Sequence, residues 1–469
     1  MFGSPPPLLR GYQTMIFKRT LLAGLFIALV IGPLQAQSDP VGAVFQEWLT
    51  AFNSGDAGAI RKFYAERLGD ADAAYPLKNA EDTCGFDTVR VESRTAQGIS
   101  VLLVEKCLPA LERLKIELGP SGEKKLKTFD LYPLKLPPER VNAALTDIAD
   151  HLSASDKFAG AVIIAHGDKQ WSHNWGNLDK SGAKPITADT PMFLASAGKM
   201  FTAVSVLQLV DARKIELDAP LGRYLTDYPN AKTARVTVRQ LLEHRGGTGD
   251  IGILGQNDGA NRAHVRTIAD IIALNGKRPP DFPPGTKTDY SNYGFVLLGA
   301  IVQRVSGESY YDYVAEHVFK PAGMLNAGFP DLEHLDGVAE GYTTFYGKAP
   351  KLVSNRDSLP WRGMPAGGGV ASANDMLKFF NAMKSGKLLS AKMLKLATTA
   401  GDTPWYGMGF IVNSGENPSW GHGGQSYGMD VAAHYYPKQD TTFVCLATRD
   451  MACDRLMYDW YRRYFGWPK

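Results

Sequence analysis

The apolar positions of the chain change rhythm several times, and each change predicts an element. Val44, Phe45, Trp48, Leu49 and Phe52 recur at helical spacing over residues 41–52, and a second amphipathic pattern covers 57–68. Asn53-Ser54-Gly55-Asp56 between them joins a helix stop signal to a start signal. Strand-like runs follow over 87–94 and 99–105, joined near Thr95-Ala96-Gln97-Gly98, with a further strand near 129–132. Pro133, Pro137 and Pro138 then predict a linker. Beyond it, Val141, Leu145, Ile148 and Leu152 form the apolar face of a helix, and a hairpin over 161–175 turns at His166-Gly167-Asp168. The long middle is helical and broken by Gly and Pro. Strands return over 429–436 and 442–447, before a terminal helix over 454–465 with Leu456, Trp460 and Tyr464 on one face. Strands at both ends with helices between predict an α/β (α+β) fold, an antiparallel sheet closed by distant parts of one domain and flanked by helices. A small α+β domain precedes it.

Length agrees with two domains, since 469 residues exceed one ordinary core. A net charge of +3 gives no reason to expect nucleic acid as a partner. At the N-terminus Lys18 and Arg19 precede an apolar run over 20–32, then Leu34-Gln35-Ala36 offers a cleavage point. This layout predicts a secretory signal peptide over 1–36, with Met15 as an alternative start, and no stable membrane span after cleavage. An uncleaved anchor is the competing reading. The expected organisation is an accessory domain over 37–136 and a larger domain over 137–469, in an exported, periplasmic or secreted protein. Export makes disulfides possible. Cys84 and Cys107 flank the first two strands, and folding that hairpin places them opposite one another, so a bridge is expected. For Cys445 and Cys453, a bridge and two buried thiols both stay open.

A serine nucleophile needs a base, an oxyanion hole and a proton donor for the leaving group. Ser-x-x-Lys on a helix supplies the first pair, because residues three apart share a face. The chain contains the pattern three times, at Ser121–Lys124, Ser181–Lys184 and Ser196–Lys199. The first two sit in polar, Gly-containing turns. Ser196 opens a run whose positions 200–210 are apolar almost all round, the mark of a buried helix. Other chemistries fit less well: there is no His-Glu-x-x-His, no phosphate loop and no Gly-x-Ser-x-Gly, so no metal or cofactor is expected.

Five stretches in register resemble the β-lactamase-related serine hydrolases, which embrace class C β-lactamases, serine D-peptidases and family VIII esterases. They are FLASAGKMFTAVSVLQLVDARKIELDAPLGRYL around Ser196, VTVRQLLEHRGGTGD (236–250), FPPGTKTDYSNYGFVLLGAIVQRVSGESYYDYVAEHVFKPAGM (282–324), AGGGVASANDMLKF (366–379) and YGMGFIVNSGENPSWGHGGQSYGM (406–429). The likeness spans roughly 141–469 and implies a β-lactamase/transpeptidase-like fold with a helical subdomain. More weakly, two helices, a curved sheet and the AFNSGD turn resemble a SnoaL-type, nuclear-transport-factor-like cone domain.

The resemblance implies Ser196 as nucleophile, Lys199 as base, and Tyr290 with Asn292 as the Tyr-x-Asn element. Beside a charged Lys199, Tyr290 would be pushed toward the phenolate and relay the proton to the leaving group. A rival triplet, Tyr228-Pro229-Asn230, reads as a surface turn. His422-Gly423-Gly424 stands where many members carry Lys-Thr-Gly, so His422 would donate a hydrogen bond or relay protons, and Gly423 and Gly424 would let substrate lie along the strand. The oxyanion hole would be the backbone N–H groups of Ser196 and Gln425. Losing the lysine weakens the case for a substrate carboxylate, because histidine is mostly neutral near pH 7. The expectation is therefore hydrolysis of a small ester, amide or peptide through an acyl-enzyme. A D-alanyl-D-alanine carboxypeptidase or class C-like β-lactamase is the alternative, and an inactive cell-wall or partner-binding protein the alternative of another class.

Overall fold

The computed structural model describes residues 39–107, 110–120, 125–251, 265–345, 349 and 351–466. The expected signal segment, the Ser121–Lys124 pair and most of the loop after Ile251 lie outside them.

The N-terminal region runs α1 (Pro40–Asn53), α2 (Ala57–Leu68), α3 (Ala74–Thr83), then β1 (Phe86–Arg94), β2 (Gly98–Glu105), β3 (Leu111–Leu118) and β4 (Leu126–Pro133). The strands form an antiparallel meander in chain order. Helix α1 packs Trp48 against Phe52, Phe86 and Phe129, giving this region a core of its own. Asp56 caps α2 by accepting the Ala59 N–H at 2.7 Å. Helix α3 escaped the sequence reading because Ala73, its N-cap, is left-handed and offers no side-chain cap.

After α4 (Pro138–Ala154) come β5 (Gly160–His166), β6 (Lys169–Trp175), β7 (Met192–Phe193), α5 (Lys199–Asp211), α6 (Val238–Leu242) and α7 (Ile268–Asn275). Then follow α8 (Asn292–Ser306), α9 (Tyr310–Val314), α10 (Lys320–Ala322), β8 (Tyr342–Thr343), β9 (Val353–Ser354) and β10 (Val370–Ala371). Helices α11 (Ala373–Lys384) and α12 (Ala391–Ala397) precede β11 (Ile411–Asn413), β12 (Ser419–Ser426), β13 (Met429–Tyr436), β14 (Thr441–Ala447) and α13 (Ala452–Phe465). The large sheet is antiparallel in the order β11-β12-β13-β14-β5-β6, so the ends of this segment do close one sheet. Its central strand β14 is buried on both faces. Phe443 and Cys445 turn toward α4 and α13, while Val444 and Leu446 turn toward the core around α5 and α8.

The prolines at 133–138 are not a spacer. Pro133 closes β4, Pro138 opens α4 at a position where a missing N–H costs nothing, and the Leu136 N–H donates to the Arg463 carbonyl at 2.7 Å. The N-terminal sheet therefore sits directly on α13. Arg455 and Arg463 of that helix face Glu105, Glu112 and Asp459 in a buried seam. Cys84 is bonded to Cys107 across the foot of the first hairpin, and Cys445 of β14 to Cys453 at the start of α13.

Candidate active site

Ser196 owes its position to a tight entry into α5. Strand β7 pairs with β10, the chain turns through Ala195 at a φ of 43°, and residues Ala195–Gly198 form a single 3₁₀ turn. Ser196 thus precedes the α-helix rather than lying inside it. Two strips of backbone pass so close to this turn that only glycine fits. A Cβ on Gly367 would lie 2.3 Å from the Ala195 carbonyl oxygen, and one on Gly424 2.2 Å from that of Leu194.

The apolar run after Ser196 buries Lys199 completely. Its Nζ donates to the Asn292 Oδ1 and the Ala366 carbonyl, both at 2.6 Å, and lies 3.2 Å from Ser196 Oγ. All three neighbours are uncharged oxygens, so burial dominates and lowers the lysine to about 7, with the Asp250 carboxylate pulling weakly the other way. When neutral, the amine keeps two N–H groups for the two short bonds and turns its lone pair to Ser196.

The second strip of chemistry lies at the start of α8. Ser291 caps that helix, its Oγ accepting the Gly294 N–H at 2.9 Å, and its own N–H donates to His244 Nδ1 at 3.0 Å. This anchors Tyr290 and Asn292 on either side. The His244 ring packs 4.2 Å from that of Tyr290. Tyr290 hydrogen-bonds Ser196, so the hydroxyl sits between a phenol and an amine. Here one expectation fails: burial pushes Tyr290 upward, not toward the phenolate, with the Ser196 hydrogen bond pulling the other way and the Asp250 carboxylate adding to the rise. Tyr290 therefore stays a neutral phenol.

His422 makes its hydrogen bonds within the protein. It is almost wholly buried, with Nδ1 donating to its neighbour's carbonyl at Gly423 and Nε2 3.0 Å from the Tyr406 hydroxyl. With both nitrogens engaged it has none to offer substrate. Burial, then the nearby Lys199, depress it to about 3, so it stays neutral. Its partner Tyr406 packs its ring 4.5 Å from His244. Gln425 and Ser426 line the cleft, and Gly424 packs against the turn that carries Ser196. Strand β11 pairs with β12 only as far as Gly421, leaving the stretch from His422 without a strand on that side among the described residues. The Gln425 side chain is tied to Asp454 of α13.

These groups open onto a cavity of about 600 Å³, lined by Ser196, Asn292, Gln425 and Asp250 and walled by apolar side chains such as Phe193, Leu359 and Met429. The competitors lie elsewhere. Ser181 sits in an exposed turn, its N–H donating to Asp179, while Tyr228 pairs with Tyr293 and Asn230 with the Lys277 carbonyl. Sequence reasoning left three residues without a role: Asp250, His244 and Tyr406. All three fall inside stretches that carried the resemblance, so position could have flagged them, but nothing in their spacing told what they touch.

Residues 145–463 match the beta-lactamase family model. The penicillin-binding protein PbpX of Bacillus subtilis (strain 168) is 31% identical over 345 residues, covering 71% of this chain and 78% of that protein. Esterase EstB of Burkholderia gladioli is 26% identical over 338 residues, 65% of this chain and 84% of the esterase. A D-aminopeptidase of Brucella anthropi is 29% identical over 293 residues, 60% of this chain but only 54% of the relative. The crystal structure of a penicillin binding protein from Bacillus halodurans superposes with a TM-score of 0.60 at 27% identity, over 66% of this chain and 97% of that one. The chain belongs to the beta-lactamase family and is one of its serine hydrolases.

Proposed function

We propose that the protein hydrolyses a small carboxylic ester or amide through an acyl-enzyme on Ser196, and that it does so after export. The observation that carries this reading is the placement of Ser196 Oγ between Lys199 and Tyr290. Neutral Lys199 takes the Ser196 proton as Oγ bonds to the substrate carbonyl carbon. The bond to the leaving group then breaks, and Tyr290 donates the proton that the leaving group needs while Lys199 replenishes it. Water attacks the acyl-enzyme by the reverse relay, releasing the acid and restoring Ser196. The backbone N–H groups of Ser196 and Gln425 would hold the oxyanion.

A β-lactam or D-alanyl-D-alanine substrate fits less well. Its carboxylate would find no lysine on β12, a buried neutral His422, and the Asp250 carboxylate in the cleft. Export is supported by the Lys18-Arg19 and apolar-run layout and by the pairing of all four cysteines. Residues 37–136 would form a SnoaL-like accessory domain without chemistry of its own.

The test uses the mature protein and Ser196→Ala on p-nitrophenyl butyrate, a chromogenic cephalosporin and a D-alanyl-D-alanine peptide. Ester turnover that vanishes in the variant is expected. Equal turnover in both proteins would remove Ser196 from the mechanism, and faster cephalosporin or peptide cleavage would reverse the ranking. Fractionation of the producing cells tests export, which activity confined to the cytoplasm would overturn.

A further inference from the structure

A second cavity, of about 420 Å³, lies where the N-terminal region meets α13, and it shares no lining residue with the Ser196 cleft. Neither region forms it alone: α3 contributes Tyr75 and Lys78, and α13 contributes Asp454, Tyr458, Tyr461 and Arg462. Its floor is fixed. Arg455 donates from Nη1 to Asn79 Oδ1 at 3.1 Å and from Nε to Asp459 Oδ2 at 2.6 Å, so that guanidinium turns inward and ties the two helices together. The Tyr75 and Tyr458 rings meet edge to face at 5.9 Å, and their hydroxyls are hydrogen-bonded. Tyr75 and Met451 nonetheless leave apolar surface exposed at this cavity, as few large apolar side chains of the described residues do. Met451 does so from left-handed backbone at a φ of 53°, a conformation that residues other than glycine rarely adopt.

The charged groups stand at opposite ends. Asp454 and Arg462 lie just over two helical turns apart on α13, roughly 12 Å by the rise of the helix. Lys78 offsets the Asp454 charge, while Arg462 lies over the rings of Tyr458 and Tyr461, 5.3 and 5.5 Å from their centres. A guanidinium held over rings still presents a planar fork, which matches a carboxylate. We infer that this cavity is a second ligand site, built for a carboxylic acid whose apolar body fills the space between Arg462 and Asp454. The head group would meet Arg462, and the body would lie on Tyr75, Met451 and Met457, with the methionines adapting to its shape. An amine head would be repelled by the guanidinium, and an alcohol would forgo the charge-assisted bond.

Asp454 gives the site a route to the cleft. Its carboxylate accepts from the Gln425 side chain, and its backbone N–H, with that of Cys453, donates to Asp430 on the strand paired with Gln425's own. Packing an apolar body against Asp454 strips water from it, which disfavours the charged form and weakens its hold on Gln425. Turnover at Ser196 should therefore fall while the cleft stays open to substrate. This second effect rests on the acyl-enzyme reading above, in which Gln425 is an oxyanion donor; the site itself does not.

The probe is 6-phenylhexanoate, compared with 6-phenylhexan-1-ol and 6-phenylhexylamine. Calorimetry on the full chain carrying Ser196→Ala should find the acid bound at least ten times more tightly than the alcohol, and the amine more weakly than either. Arg462→Met in that background should remove the preference for the acid, and Tyr75→Ala should weaken acid and alcohol alike. On the wild type, which keeps the test alive should the variants not fold, the acid should lower kcat on p-nitrophenyl butyrate at least threefold and leave KM within twofold. No binding of the acid, or equal binding of acid and alcohol, would overturn the site. So would acid binding that Arg462→Met leaves unchanged, or a rise in KM at constant kcat, which would place the acid in the Ser196 cleft. Binding that moves neither kcat nor KM would sever Asp454 from the cleft and overturn the coupling. A wild type inert toward the ester would instead remove the acyl-enzyme reading and the coupling with it, while calorimetry would still decide the site.

Discussion

Lys199 and the α13 seam both bury positive charge, and they come to opposite ends. Lys199 is surrounded by neutral oxygens, and burial strips its proton until the amine is a base near neutrality. In the seam, Arg455 and Arg463 meet Glu105, Glu112 and Asp459, and guanidinium groups cannot give up their protons. There burial acts on the acids instead, pushing Glu105 and Glu112 upward. One site turns desolvation into reactivity; the other turns it into a joint between the N-terminal sheet and the sheet that carries β12. A shifted ionisation is thus no mark of an active site by itself. The uncharged neighbours and the open cleft are what distinguish Lys199.

The largest effect should come from Lys199→Met, which keeps the length of the stem and removes the base. Loss of general-base catalysis predicts a fall of roughly 10²–10⁴ in kcat/KM on p-nitrophenyl butyrate. The thermal midpoint should move far less than in the seam variant below. Activity within tenfold of the wild type would mean that Lys199 is not the base.

Arg463→Met is the opposite experiment. It leaves three carboxyls around one remaining guanidinium, and breaking a buried pair from one side costs about 3–5 kcal/mol. Urea unfolding should show that loss, while kcat/KM per folded molecule stays near that of the wild type. A variant of undiminished stability would show that the seam is only a contact, not a joint.

The sequence made the place of Ser196 at the entry to a buried helix legible because its evidence is local. A serine three residues before a lysine, followed by eleven positions of which eight are apolar, predicts a buried helix start without reference to anything distant. The large sheet was legible too, since strands at 161–175 and 429–447 can only be satisfied by pairing. What stayed hidden depends on which surfaces meet. Nothing in Pro133 to Pro138 told that Leu136 would bond to Arg463, more than three hundred residues away. His422 kept its expected place in the strand, but its partner Tyr406 lies on the inner side, and only the fold reveals which way the ring turns. The phenolate expectation for Tyr290 failed for a related reason, because only the fold shows how deeply the phenol itself is buried.

A pH profile sharpens the contrast without any mutation. Lys199 is lowered to about 7, and its neutral form is the active one, so kcat/KM on an uncharged ester should be level above pH 7 and fall toward tenfold per unit below it. His422, depressed to about 3, should add no second limb in that range. A limb near pH 10 instead would mean that Lys199 retains an ordinary ammonium in the folded protein.

The smallest effect is expected from a third buried group, intermediate between the two extremes. Asp430 faces Gln425 across the β12–β13 hairpin, is fully buried, and accepts the backbone N–H groups of Cys453 at 2.7 Å and Asp454 at 3.2 Å. Asp454 in turn holds the Gln425 side chain. Burial first and the Asp454 charge second raise Asp430 above the usual carboxylate range. A raised acid binds more protons folded than unfolded, so stability is lost as pH rises from the unfolded value near 3.9 toward the folded one. Asp430→Asn keeps an oxygen for the two N–H groups and removes the proton uptake. The decline in urea stability between pH 5 and pH 8 should therefore be shallower in the variant by on the order of 1 kcal/mol. The glutamates of the seam contribute to the same decline in both proteins, so the difference between the two slopes isolates Asp430. Parallel slopes would mean that the two backbone N–H groups already compensate its charge, and would move the hairpin behind Gln425 to the side of the seam, a buried charge that is held and not released.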